Sequence, residues 1–159
     1  MSRGRALLLG TLAVGILDGL DAVVFFGLRG GDPVRIFQVI ASGLIGPDRA
    51  FAGGAATALL GVLMHFTVAL MIVLTYHLAS RVLPVLTRRA VICGMLYGVV
   101  AFLGMQLVVL PLSAVRGGGG MPAGAPLLNG LLIHIFGVGL PAALSARAAA
   151  SSPGGPPRA

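Results

Sequence analysis

The sequence predicts an all-α integral membrane protein: a four-helix bundle with a short interfacial or re-entrant helix between its first two spans. Three observations lead there. Of 159 residues, 57% are hydrophobic and 9% charged, with a mean hydropathy of +1.03; a soluble domain of this length needs far more polar surface. Four apolar runs reach or approach the ~20 residues that cross ~30 Å of hydrocarbon. The basic residues, all arginine, flank those runs rather than gathering on one face.

The elements follow in order. The first span is expected at about 6–28. Its start, MSRGRALLLGTLAVGIL, has the basic and apolar regions of a signal peptide, but no A-x-A site follows and the apolar run resumes as AVVFFGL, so a span is expected. Asp32-Pro33 then reads as a helix cap followed by an N1 proline. The helix it opens, at about 33–45, is apolar but too short to span, which makes it interfacial or re-entrant. Gly46-Pro47-Asp48 ends it and begins another helix. The second span is expected at about 54–80. The third, at about 90–110, is expected to stop at Pro111. After a flexible Gly/Pro-rich loop over 111–126 comes the fourth, at about 127–145. Residues 1–147 form one membrane domain, and 148–159 read as a disordered tail.

The net charge is +7 and the pI about 11.6. No basic face or stacking aromatics accompany that charge, so no nucleic-acid partner is expected. With the N-terminus inside, Arg3, Arg5, Arg81, Arg88, Arg89, Arg147 and Arg158 lie on the cytoplasmic side, and Arg29, Arg35, Arg49 and Arg116 on the other. This bias predicts cytoplasmic N- and C-termini in a bacterial inner membrane. Cys93, the only cysteine, reads as a small buried hydrophobe. No internal repeat supports an inverted-repeat transporter.

The first span carries Asp18 and Asp21 one turn apart. Each costs about 2.5–3.5 kcal/mol near the bilayer centre, whereas roughly a dozen Leu, Ile, Val and Phe return about 0.3–0.6 each. The sums nearly cancel, so the helix inserts comfortably only if the carboxylates are protonated, hydrated or paired. Counting 1.5 Å per residue puts Asp18 at about the midplane and Asp21 about 6 Å outward. His65 of the second span and His134 of the fourth fall at about 3 Å outward. Tyr97 sits slightly inward and Gln106 farther out.

Facing gives the same grouping. Gly15, Asp18, Gly19 and Ala22 form one stripe; Gly61, His65, Ala69, Ile72 and Tyr76 a second; Gly130, His134, Gly137 and Pro141 a third. Gly94 and Gly98 give the third span its own close-contact face, since small residues mark where membrane helices meet. Asp18, Asp21, His65 and His134 thus form a candidate intramembrane polar cluster, with Tyr76, Tyr97, Gln106 and Gln38 as secondary polar residues. Three readings stand side by side: interhelical glue, a proton or cation relay, and a metal site of Asp and His ligands lacking a recognised spacing. No cofactor is expected otherwise. His77 reads as solvated at the inner interface, Gln38 and Ser42 as within reach of the bundle or headgroups, and Asn129 as a cap for the fourth helix. The glycine run 117–120 lacks the strand–helix context of a phosphate loop.

No nucleophile elbow or metalloprotease signature is present, and the chain has no Glu, so no enzyme is expected. The segments GILDGLDA, FQVIASGLIG with AFAGG, LGVLMHF with Tyr76, GMLYG with VVLPLSA, and LLIHIFGVGLPAAL resemble a group of small four-span bacterial inner-membrane proteins without assigned activity. The arrangement is also distantly similar to YagU-type inner-membrane proteins, which are linked to acid resistance; that likeness lies in a His, Tyr, Gly, Pro, His order across the spans. The resemblance implies the four-span architecture and points at Asp18, His65 and His134 without giving them a role. The expected function is a non-enzymatic membrane protein whose Asp/His cluster senses or relays a proton or cation. The rival is an accessory structural subunit of a larger membrane complex; a homo-oligomer is compatible with either.

Overall fold

The computed structural model describes residues 1–115 and 120–151. All regular structure among them is helical. In chain order the helices are α1 (Arg3–Gly27), α2 (Pro33–Ile45), α3 (Pro47–Ala52), α4 (Gly54–Val82), α5 (Val85–Arg88), α6 (Ala90–Leu112) and α7 (Ala125–Ala150). Four of them, α1, α4, α6 and α7, are long and apolar enough to cross a membrane. The last runs to Ala150, three residues into the segment read as a tail. Arg116–Gly119 and the tail from Ser152 onward lie outside the described residues.

Local chemistry sets the turns. After α1 the chain reverses through Gly30, at φ +86°, and the Gly31 N–H donates to the Phe26 carbonyl at 2.9 Å. Asp32 then caps α2: its Oδ1 accepts from the Val34 N–H at 2.9 Å, with Pro33 in the first turn. Gly46, at φ +81°, ends α2 in a conformation that costs a side chain dearly, and Pro47 opens α3.

Two spans contain a turn that the sequence pattern does not announce. The third widens into π-helix over Met105–Val109, where the Leu110 N–H reaches back five residues to Met105. The fourth does the same over His134–Gly139, with the Leu140 N–H bonded to Ile135. Each π turn is followed by Leu-Pro. A proline inside a helix loses one backbone hydrogen bond and clashes with the carbonyl four residues back; widening the preceding turn relieves that clash. The expectation that Pro111 stops the third span is corrected accordingly, because the helix passes it and ends at Leu112. Beyond it the Ala114 N–H donates to the Gly43 carbonyl at 3.0 Å, tying this connection to α2.

In the bundle α1 packs on both α4 and α7, and α6 packs on α7. Helix α4 meets α6 through tyrosines: the Tyr97 hydroxyl donates to the Ile72 carbonyl at 2.8 Å, and its ring stands edge-on to Tyr76 at 5.0 Å. Tyr76 is 1% exposed and donates to the Leu86 carbonyl of α5 at 2.9 Å. The core is otherwise small: Val14, Ala69, Val73, Ala90, Val138, Ala142, Ala143 and Ala146. Large apolar side chains such as Leu20, Leu63, Leu96 and Leu128 point outward. This inversion of a soluble domain fits association in lipid, where close backbone approach replaces the hydrophobic drive.

The closest approach joins α6 to α7. A Cβ on Gly98 would run into the His134 carbonyl and come within 2.6 Å of the Ile135 Cα; one on Gly94 would meet the Gly139 carbonyl at 2.9 Å; one on Gly139 would run into the backbone of Gly94 and Gly98. Gly98→Val is therefore expected to lower thermal stability in detergent by roughly 1–3 kcal/mol, the usual cost of overpacking. Gly104→Ala, on the same helix, adds a methyl with nothing within 4 Å and is expected to leave the melting temperature unchanged or raise it. Equal melting temperatures for both variants would contradict this packing.

Candidate functional site

Glycines on α1 make room for the site. A Cβ on Gly19 would lie 3.2 Å from His65 Nε2, and one on Gly15 would collide with the Phe66 ring. With neither present, His65 of α4 lies against the α1 backbone, and its Nε2 is 2.8 Å from the Gly15 carbonyl. Phe37 of α2 and Phe66 stand edge-on to its ring at 6.4 and 5.6 Å. A Cβ on Gly61 would run into the Phe37 carbonyl, so that glycine seats α2 above the histidine. Gln38, also on α2 and buried, donates to the Gly54 carbonyl at 3.0 Å. Ser42, likewise buried, bonds back to Val39 at 2.7 Å.

The second ring nitrogen of His65 faces Asp18: Nδ1 to Oδ2 is 3.9 Å, with the side chains 12% and 28% exposed. The protonation follows from the partners. A carbonyl only accepts, so Nε2 carries a hydrogen and donates to Gly15; this tautomer is assigned from the hydrogen-bond network. In a neutral ring Nδ1 is then a lone pair, directed at a carboxylate. At 3.9 Å the two groups are in ion-pair range but beyond hydrogen-bond length, so their attraction depends on the charge His65 carries.

One turn further along α1, Asp21 accepts a 2.6 Å hydrogen bond from the Asn129 side-chain amide of α7. Asp21 also interacts electrostatically with Asp18 and with His134. His134 itself turns back on its own helix, its Nδ1 2.9 Å from the Gly130 carbonyl, and its ring stands edge-on to Phe102 at 5.4 Å. Gly130 gives Phe102 that space, and Gly137 is buried beside Leu17 of α1. Gln106 is half-buried in the π turn of α6. No three described His, Cys, Asp or Glu side chains come close enough to hold a metal ion. The four residues weighed as ligands thus resolve into an Asp18–His65 pair, an Asp21–Asn129 pair, and a His134 bonded locally.

Two sequence readings are corrected. Asn129 does not cap the fourth helix, which starts at Ala125 with no side-chain cap; it neutralises the hydrogen-bonding demand of Asp21 instead. His77 is not solvated. It is 9% exposed, and its Nε2 lies 2.9 Å from Ser145 Oγ, which itself donates to the Ala142 carbonyl at 2.8 Å. Gly10 of α1 leaves the space for Ser145. None of Asn129, His77 and Ser145 offered a local signal of its partner.

No protein-family model, curated protein or solved structure matches the chain.

The Asp21–Asn129 bond is open to a double-mutant cycle. Asn129→Leu strands a carboxylate between helices and is expected to cost about 1–3 kcal/mol in detergent unfolding. Asp21→Leu/Asn129→Leu is expected to recover most of that loss. Additive effects of the two single changes would rule out the bond.

Proposed function

We propose that this chain is a small, non-enzymatic multi-pass protein of a bacterial inner membrane, both termini cytoplasmic, whose Asp18–His65 pair holds one exchangeable proton within the bilayer. The observation that carries this reading is the placement of His65: Nε2 on the Gly15 carbonyl and Nδ1 toward Asp18. Pure interhelical glue is satisfied by fixed donors and acceptors, as at Asp21 and Asn129. A histidine–carboxylate pair in ion-pair range changes its energy with every proton gained or lost, which is what a sensor or relay requires.

In this reading the short helix α2 lies at the outer interface. Asp32 and Arg35 are exposed, and Arg35 stacks over Phe51 at 4.9 Å, a basic–aromatic pairing suited to headgroup depth. Phe37 then screens the pair from the outer side.

The test is infrared titration in reconstituted vesicles, read together with ¹⁵N NMR of His65. The wild type is expected to change its carboxyl band and the His65 Nδ1 signal together, over the same pH interval. Asp18→Asn should abolish the coupled change while the bundle still unfolds at a similar temperature. An unaltered titration in Asp18→Asn sinks the proposal and leaves His65 as a packing residue, for which His65→Leu would lower stability and nothing else.

A further inference from the structure

The inner end of the bundle carries a second feature, remote from Asp18. Arg88 at the end of α5, Arg89 and Ala90 at the start of α6, and Arg147 in the last turn of α7 surround an open cavity of about 290 Å³. Val91 and Ile92 form its remaining wall, 48% and 59% exposed. Three arginines line the space, Arg88 and Arg89 consecutive at the α5–α6 junction and Arg147 from α7, and no carboxylate is among its lining residues. The sequence contains no Asp or Glu after Asp48, so α4 to α7 bring no acidic side chain to this end. The first turn of α6 has no side-chain cap, and its N–H groups add to the positive field.

The cavity is charged on one wall and apolar on the other. Val91 and Ile92 continue onto a helix flank that carries Leu96 and Val100, both exposed. A free phosphate uses only the first wall. We propose that this cavity binds an anionic phospholipid, its phosphate among Arg88, Arg89 and Arg147 and its acyl chains along Val91, Ile92 and Leu96. Basic pockets between helices at a membrane surface recognise such headgroups, and guanidinium forks suit phosphate oxygens in particular.

The test is native mass spectrometry from nanodiscs holding equal amounts of phosphatidylglycerol and phosphatidylcholine. The wild type should retain phosphatidylglycerol preferentially. Arg89→Gln/Arg147→Gln should reduce that preference roughly thirtyfold, the combined attraction of two basic residues at an anionic surface. Arg89→Lys/Arg147→Lys should keep part of it. Arg81→Gln, outside the cavity, should keep all of it. Inorganic phosphate added in excess should fail to displace the lipid. Equal retention of the two lipids by the wild type overturns the proposal whether or not the variants fold. So does an equal loss in Arg81→Gln, which would indicate diffuse charge attraction. Displacement by inorganic phosphate overturns it too, since the site would then recognise the anion alone.

Discussion

The contact on which this bundle depends is one between backbones. Gly94 and Gly98 of α6 meet Gly139 and the His134 carbonyl of α7 with no side chain between them. Helices in lipid gain nothing from burying leucine against leucine, because the acyl chains are equally apolar; they gain from dispersion and polar contact at short range. That is why the core is mostly alanine and glycine, with valine and two large rings, Tyr76 and Phe102. The partner surface on α7 exists because of Pro141. The proline forces the wide turn over His134–Gly139, and that turn presents Gly139 to α6.

An extra residue in a turn shifts the facing of everything beyond it by about 100°. Up to the start of the π turn α7 offers Asn129, Gly130 and His134 to its neighbours; after the turn, Ala142, Ala143 and Ala146 enter the core. One helix thus does two jobs. Its N-terminal half supplies the amide that satisfies Asp21, and its C-terminal half packs against α1, α4 and α6 and supplies Ser145 to His77. Neither half would face correctly in an unbroken α-helix.

The four long helices were legible because ~20 apolar residues have few other fates, and Asp32-Pro33 announced α2 because a cap and an N1 proline act within a single turn. The glycine stripe over Gly15 and Gly19 was legible too, as a face; its occupant, His65, was close in depth but not assigned. The π turns were not legible. Periodicity counting presumes 3.6 residues per turn, and a proline signals only that something must give, not whether the helix stops or widens. His77 was misread for a related reason. Five residues from the end of α4 it looks peripheral, and only the path of α7, with Gly10 left empty opposite, closes over it. Asn129 was misread because a polar residue near a helix start is usually a cap, and nothing local reveals a carboxylate 108 residues away in sequence.

The four acidic residues make the functional argument sharper than their number suggests. Asp32 caps α2 through a backbone N–H, and Asp21 holds an amide; both partners are permanent donors. Asp48 lies exposed in the first turn of α3, where a helix N-terminus favours a negative charge. Asp18 instead has a histidine nitrogen in ion-pair range, at 3.9 Å, and the other nitrogen of that ring lies on the Gly15 carbonyl. A fixed donor in place of His65 would have stabilised the carboxylate as well as Asn129 stabilises Asp21. In the proposed reading, pairing Asp18 with a group that can itself gain and lose a proton serves proton exchange better than it serves packing, because two aspartates on one apolar helix of membrane-spanning length are costly to insert into lipid.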